Sequence, residues 1–250
     1  MTITSFDNEK IKTYMKLKDR KYRDKLGLFL VEGTHSVIEA YRAGSLQEVI
    51  LESDELVPIT APTVVVSAEI MKKLCETTSP VHVLGLCKKK EVTELGNRIL
   101  LLDGVQDPGN LGTIIRSAAA FEVDTVVLGK GTVDLYNPKT LRSTQGMVFH
   151  VNTMRASLEE VIAKLKEQDI PIYGTKVEYG DDVRSLSMRD MNSFALIMGN
   201  EGAGVRPEIL ELCDKFLYIP MSSKVESLNV AVASSILLYE FYTKRMDEEQ

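Results

Sequence analysis

Three apolar runs, Ile99–Leu102, Phe194–Met198 and Phe216–Ile219, read as buried strands, and each stops abruptly at a polar loop. Asp103-Gly-Val-Gln-Asp-Pro-Gly-Asn110-Leu-Gly112 follows the first, Gly199-Asn-Glu-Gly202 the second, and Pro220-Met221 runs on to Ser227-Leu-Asn229 after the third. The first and third loops lead into apolar helical stretches. Three polar loops at the ends of neighbouring buried strands are how an open α/β sheet assembles a ligand site. The second half of the chain is therefore expected to bind a small molecule or a nucleotide.

The 250 residues suit one large domain or two modest ones, and 44% hydrophobic with 26% charged content is ordinary for a globular protein. No run approaches the roughly 18 apolar residues of a membrane span. The amino terminus lacks the basic-then-apolar order of a signal peptide, so a cytoplasmic protein is expected. Cys75, Cys87 and Cys213 are widely spaced, and His35, His82 and His150 form no cluster. Free thiols and no metal are the expectation. The net charge of −6 hides a basic stretch from Lys10 to Lys25, with Tyr14 and Tyr22 interleaved. Lys18, Arg20, Lys21, Arg23 and Lys25 are its candidate RNA contacts; a solvated helix face is the alternative.

The pattern divides at the polar stretch 88–97. Before it come a strand at Leu28–Val31, a helix from Thr34 (its expected N-cap) to about Ala43, strands at Val49–Leu51 and Val64–Val66, a helix near 68–76, and a strand at Val81–Leu86. Beyond it, strands and helices alternate: strand 99–102, helix 111–121, strand 125–128, short helix 138–145, short strand 147–151, helix 158–168, strand 170–174, strand 194–198, helix 207–213, strand 216–219 and a final helix 228–244. Alternation of this kind implies right-handed crossovers and a mainly parallel sheet. The expected domains are 1–95 and 96–250.

Asn110 is placed to cap the helix after the first loop, which would account for it as a structural residue. Arg116 is not explained that way. Its planar fork suits a phosphate, and Gly112 on the same face would clear space beside it. Glu201 lies in a glycine-rich loop, where backbone can approach a ligand closely, or else accepts N–H bonds at the next helix start. Ser227 is the expected N-cap of the last helix, and Asn229 heads a stretch apolar almost all round. Gly129-Lys-Gly131 approaches the dinucleotide fingerprint, but Asp134 stands where the third glycine belongs; a nicotinamide oxidoreductase is excluded and the segment reads as a turn.

With these motifs in order and flanked by Ile219-Pro-Met221 and Leu228-Asn-Val-Ala-Val-Ala233, residues 98 to 244 resemble the SpoU/TrmH family of RNA ribose 2′-O-methyltransferases. Arg23-Asp-Lys-Leu-Gly-Leu-Phe-Leu-Val-Glu-Gly33 is similar to the substrate-binding domain, folded like ribosomal protein L30e, that precedes the catalytic domain in many members. The resemblance implies an α/β-knot, a deep trefoil with a mainly parallel sheet, behind a small L30e-like α/β domain. It implies S-adenosyl-L-methionine as cofactor, held at Gly199, Ile219 and Leu228 with Thr175 and Met221. A homodimer follows from it too, as does a catalytic cluster of Asn110, Arg116, Glu201, Ser227 and Asn229. A guanidinium is effectively always protonated. Arg116 is accordingly expected to clamp an RNA phosphate while that phosphate, or a water, takes the hydroxyl proton. Ser223 stands where the family usually has glycine, which costs on the order of 1 kcal/mol if that position needs positive φ. The substrate expected is 23S ribosomal RNA; transfer RNA, or a catalytically silent RNA-binding protein on the same fold, are the alternatives.

Overall fold

A computed structural model describes residues 2–52, 56–77, 79–177, 180–186 and 192–246. In chain order the elements are β1 (Thr2–Ile3), α1 (Glu9–Lys16), α2 (Arg20–Leu26), β2 (Leu28–Glu32), α3 (Thr34–Arg42), β3 (Leu46–Glu52), β4 (Thr63–Val66), α4 (Ala68–Leu74), β5 (Val83–Lys88), β6 (Arg98–Leu102), α5 (Pro108–Ala120), β7 (Thr125–Leu128), α6 (Pro138–Thr144), β8 (Asn152–Arg155), α7 (Leu158–Glu167), β9 (Ile172–Thr175), β10 (Asp181–Asp182), β11 (Phe194–Met198), α8 (Pro207–Leu210), β12 (Lys215–Tyr218) and α9 (Val230–Met246).

The chain forms two compact units, Met1–Glu91 with Asp134–His150, and Val92–Val133 with Val151–Gln250. This departs from a single cut near residue 95, and side-chain chemistry gives the reason. Arg23, 4% exposed, donates to the carbonyls of Leu17 and Lys18 (both 2.7 Å) and to the Asp134 carboxylate at 2.6 Å. Arg142 pairs with Glu32 at 3.2 Å, and His150 Nε2 lies 2.7 Å from the Glu39 carboxylate. The Phe29 ring packs against Tyr136 and Phe149, with centroids 4.6 and 6.0 Å away. The segment Asp134–His150 thus neutralises and covers groups of the first unit. That unit's sheet has the order β1-β4-β3-β5-β2, with β1, β4 and β3 parallel and β5 antiparallel to both β3 and β2.

In the second unit seven strands run in the order β10-β12-β9-β11-β6-β7-β8, and every pairing is parallel. All of β7 and β11 is buried, which is why they carry no alternation. Successive side chains leave a strand on opposite faces. Ile99, Leu101, Ala195 and Ile197 accordingly pack with Leu158, Val161, Ile162 and Leu165 of α7 and Ile209 of α8. Opposite them, Phe241 of α9 stacks on Phe194 at 4.1 Å. The order reverses between β6 and β11, since β7 and β8 are added on one side and β9, β11 and β12 on the other. The loops leaving β6 and β11 thus sit side by side at the topological switch point of the sheet.

Local differences from the expected elements have local causes. Gly33, at φ 90°, precedes α3 in place of a Thr34 cap. Met147–Phe149 is a 3₁₀ turn rather than a strand, entered through left-handed Gln145 and Gly146 (φ 50° and 82°), and β8 starts only at Asn152. No helix among the described residues is long and apolar enough to cross a membrane. The three cysteines are free thiols, and burial pushes Cys75 and Cys213 up to about 11.

Candidate active site

Asp107, followed by Pro108 in the first turn, caps α5: its Oδ1 accepts from Asn110 N–H at 2.9 Å. Asn110 is therefore not the cap, and its side chain is free to bond the loops after β11 and before α9. Its Nδ2 donates to Glu201 Oε1 at 3.0 Å, and its Oδ1 accepts from Asn229 Nδ2 at 2.9 Å. Asn229, not Ser227, caps α9, with Oδ1 accepting from the N–H groups of Ala231 (2.9 Å) and Val232 (3.3 Å). Since that oxygen is committed to the helix, the amide nitrogen must face Asn110. Asn110 in the first turn of α5 and residues from two loops, 91 and 119 positions further on, thus form one hydrogen-bonded chain.

Glu201 is held from the other side as well. Its Oε1 accepts from Asp107 N–H at 3.0 Å and its Oε2 from Gln106 N–H at 3.1 Å. Burial pushes the carboxyl up, but the Asn110 amide and these backbone donors outweigh it and keep the group below the usual carboxylate range. Asn200 organises the loop itself. Its Oδ1 accepts from Gly202 and Ala203 N–H (2.9 and 3.0 Å), and its Nδ2 donates to Gly104 O at 2.8 Å. The loop folds back so tightly that a Cβ on Gly199 would lie 2.2 Å from backbone atoms of Gly204 and Val205. At its far end Arg206 donates through backbone N–H and Nε to Asp103, both at 2.8 Å, and Asp103 is 2% exposed.

Beside this chain, at the carboxyl ends of β9, β11 and β12, lies a cavity of about 690 Å³. Thr175, Gly199, Ile219, Met221, Ser227 and Leu228 all line it, together with Glu201 and Asn229. Thr175 Oγ1 donates to Ile197 O at 2.9 Å. Ser227 is exposed on the wall and hydrogen-bonds no described residue. Arg116 is exposed on α5, less than two turns beyond Asn110, and is paired with no described residue. Gly112, one turn before Arg116, is buried.

Part of the basic stretch of the first unit is paired within that unit. Arg23 is a buried structural residue and not an RNA contact, because its donors hold Leu17, Lys18 and Asp134. Arg20 pairs with Asp24 on the surface at 3.3 Å, and Lys10 with Glu48. Lys21 and Lys25 are exposed and Lys18 half-buried, each without an acidic partner among the described residues. The sequence reading also missed Asp103, Asp107, Asn200 and Arg206. The Asp-Pro pair at 107–108 is a helix-start signal that identifies the cap, whereas the Asp103–Arg206 pairing leaves no local trace.

Residues 97–239 match the SpoU rRNA Methylase family. The chain belongs to that family. Ahead of the SpoU region, residues 8–85 match the MRM3-like substrate binding domain. This SpoU chain is 41% identical over 243 residues to the 23S rRNA (guanosine(2553)-2′-O)-methyltransferase RlmP of Bacillus subtilis, covering 95% of this chain and 97% of the relative. A solved TrmH-family RNA methyltransferase structure from Porphyromonas gingivalis superposes with a TM-score of 0.86 at 30% identity, covering 96% of this chain and 99% of that one. The SpoU methyltransferase AviRb of Streptomyces viridochromogenes, solved with AdoMet, gives 0.84 at 25% identity, covering 96% and 98%.

Proposed function

We propose that this SpoU protein methylates a ribose 2′-hydroxyl of 23S ribosomal RNA, with S-adenosyl-L-methionine as donor. The observation that carries the reading is the Asn110–Glu201–Asn229 chain at the rim of a cavity sized for a nucleoside-bearing ligand. The cavity's composition suits that cofactor: backbone at Gly199, Ile219 and Leu228 offers hydrogen bonds to an adenine edge, and Met221 offers an apolar, polarisable wall. When bound, the cofactor would supply an electrophilic methyl group on a sulfonium, whose neutral thioether would be the leaving group as the ribose oxygen takes the methyl.

What remains for the protein is positioning and charge. Glu201, ionised and rigidly held, accepts hydrogen bonds and orients Asn110, while Asn229 fixes Asn110 from the other side. The amide pair presents fixed polar edges to the ribose, and Ser227 supplies a rotatable hydroxyl on the adjoining wall. Arg116, protonated and without an internal partner among the described residues, clamps the neighbouring RNA phosphate and lowers the cost of charge on the reacting oxygen. That phosphate, or a water, accepts the proton. Lys18, Lys21 and Lys25 contribute sequence-independent phosphate contacts in the first unit.

The same reading includes a trefoil-knotted second unit, a homodimer formed through it, and a cytoplasmic location. Val232 and Tyr239 of α9, 47% and 53% exposed, offer an apolar face to a second copy.

The test is transfer of labelled methyl from S-adenosylmethionine to a 23S rRNA transcript, followed by mapping of the 2′-O-methyl position. One modified ribose, absent with the Arg116→Ala enzyme, is the expected result. Cofactor binding without transfer to any rRNA or tRNA would favour a silent RNA-binding protein and overturn the assignment.

A further inference from the structure

Gly129-Lys-Gly131, unexplained by any nucleotide fingerprint, ends β7, the strand next to β6. It closes as a tight turn in which Thr132 N–H donates to Gly129 O at 3.2 Å and Gly131 takes φ +85°. The carbonyls of Gly129, Thr132 and Val133 are drawn inward and occupied. The Arg155 guanidinium, from the end of β8, donates to the carbonyls of Gly129 (3.4 Å), Thr132 (2.9 Å) and Val133 (2.9 Å). The Thr132 hydroxyl donates to Leu102 O at 3.0 Å and accepts from Gly104 N–H at 3.2 Å, pinning the turn to the end of β6.

What faces outward is different in kind. Lys130 is exposed, and neither its ammonium nor the N–H groups of Lys130 and Gly131 meet an acceptor among the described residues. The turn therefore shows solvent two backbone N–H donors and an ammonium, with the Arg155 guanidinium bonded beneath it, which is the make-up of an anion site. Its position ties it to the catalytic cluster. A Cβ on Gly131 would lie 3.6 Å from Gly104 Cα, and Gly104 O is bonded at 2.8 Å by Asn200, the neighbour of Glu201.

We propose that the Lys130 turn binds an RNA backbone phosphate, on the β7 side of the Asn110–Glu201 cluster and away from the cofactor cavity at β9, β11 and β12. The site rests on the methyltransferase reading and extends it: a strand whose ribose sits at the cluster is gripped at both flanks, by Arg116 and by Lys130. Such a grip selects for RNA continuing past the target nucleotide in that direction.

The experiment compares wild type, Lys130→Glu and Lys130→Arg on a 23S rRNA transcript, by methyl-transfer kinetics, filter binding across salt concentrations, and calorimetry with S-adenosylmethionine. K130E is expected to raise KM for RNA about tenfold and flatten the salt slope by about one, with kcat and cofactor affinity within about twofold of wild type. K130R is expected to retain most of the RNA affinity. A K130E enzyme with wild-type KM and salt slope would overturn the phosphate site while leaving the methyltransferase reading intact. So would joint loss of kcat and cofactor binding, the mark of a merely structural turn. A wild-type protein that transfers no methyl to RNA would remove the parent reading and this site together.

Discussion

Asn110 and Asn229 show how little freedom the candidate site leaves its side chains. Each amide has both ends committed, so neither can flip without stranding a donor against a donor. Asn110→Asp replaces the amide donor facing Glu201 with a second carboxylate, and kcat should fall on the order of 10²-fold or more, with cofactor affinity measured by calorimetry nearly intact. Glu201 has a pH signature. Its folded pKa is depressed, so its contribution to stability is fully present above the ordinary value of 4.5 and is lost as pH falls through the lowered folded value. Thermal melts of wild type and Glu201→Gln should therefore differ most near neutral pH and converge in acid; a constant offset down to pH 2 would count against an ionised, bonded carboxylate. At this scale the sequence reading singled out Asn110, Glu201 and Asn229, which the structure bonds together, because polar residues beside buried strands are conspicuous. It misjudged their local duties, taking Asn110 and Ser227 for caps. Capping depends on where the first helical turn closes, and that was decided by Asp107-Pro108 and by Asn229.

Among elements, the loop between β11 and α8 is held at both ends, by its own closure onto Gly199 and by Asp103 beneath Arg206. A Gly199→Ala side chain would meet backbone atoms that cannot yield. The variant should lose about 1–3 kcal/mol in chemical denaturation and most of its cofactor affinity, since the displaced loop forms one wall of the cavity. Asp103→Ala leaves Arg206 partly solvated, at 34% side-chain exposure, so its cost should be smaller, about 1–2 kcal/mol, and its effect on kcat should exceed that on cofactor binding. The elements of the second unit were largely legible beforehand. Doubly covered parallel strands announce themselves as unbroken apolar runs, and β7 and β11 fall on the expected residues. Met147–Val151 failed as a strand because a short apolar run carries no period, and the left-handed backbone at 145 and 146 that turns it into a 3₁₀ segment has no clear sequence marker beyond Gly146.

For the molecule as a whole, the unexpected feature is the discontinuity of the first unit. Arg23 looked like an exposed cation in a basic run and is instead buried against Asp134; no local pattern could reveal a partner 111 residues away. The same distance hid the aromatic cover of Phe29. A fragment ending at Glu91 would expose that ring, whose burial is worth on the order of 2 kcal/mol, and would leave Arg23 without its carboxylate. Its circular-dichroism melt should lie well below that of the same unit in the full chain. A fragment melting as high as the intact protein would show that Asp134–His150 adds nothing to it.

That discontinuity also bears on biosynthesis. A nascent chain reaches the exit of the ribosome amino end first, yet its first unit lacks its closing piece until His150 has emerged. At about 5–20 residues per second, the interval between Glu91 and His150 lasts roughly 3–12 s. Throughout that window the Phe29 surface stands uncovered, a natural landing place for a folding helper and a point where slower translation would lengthen the exposure.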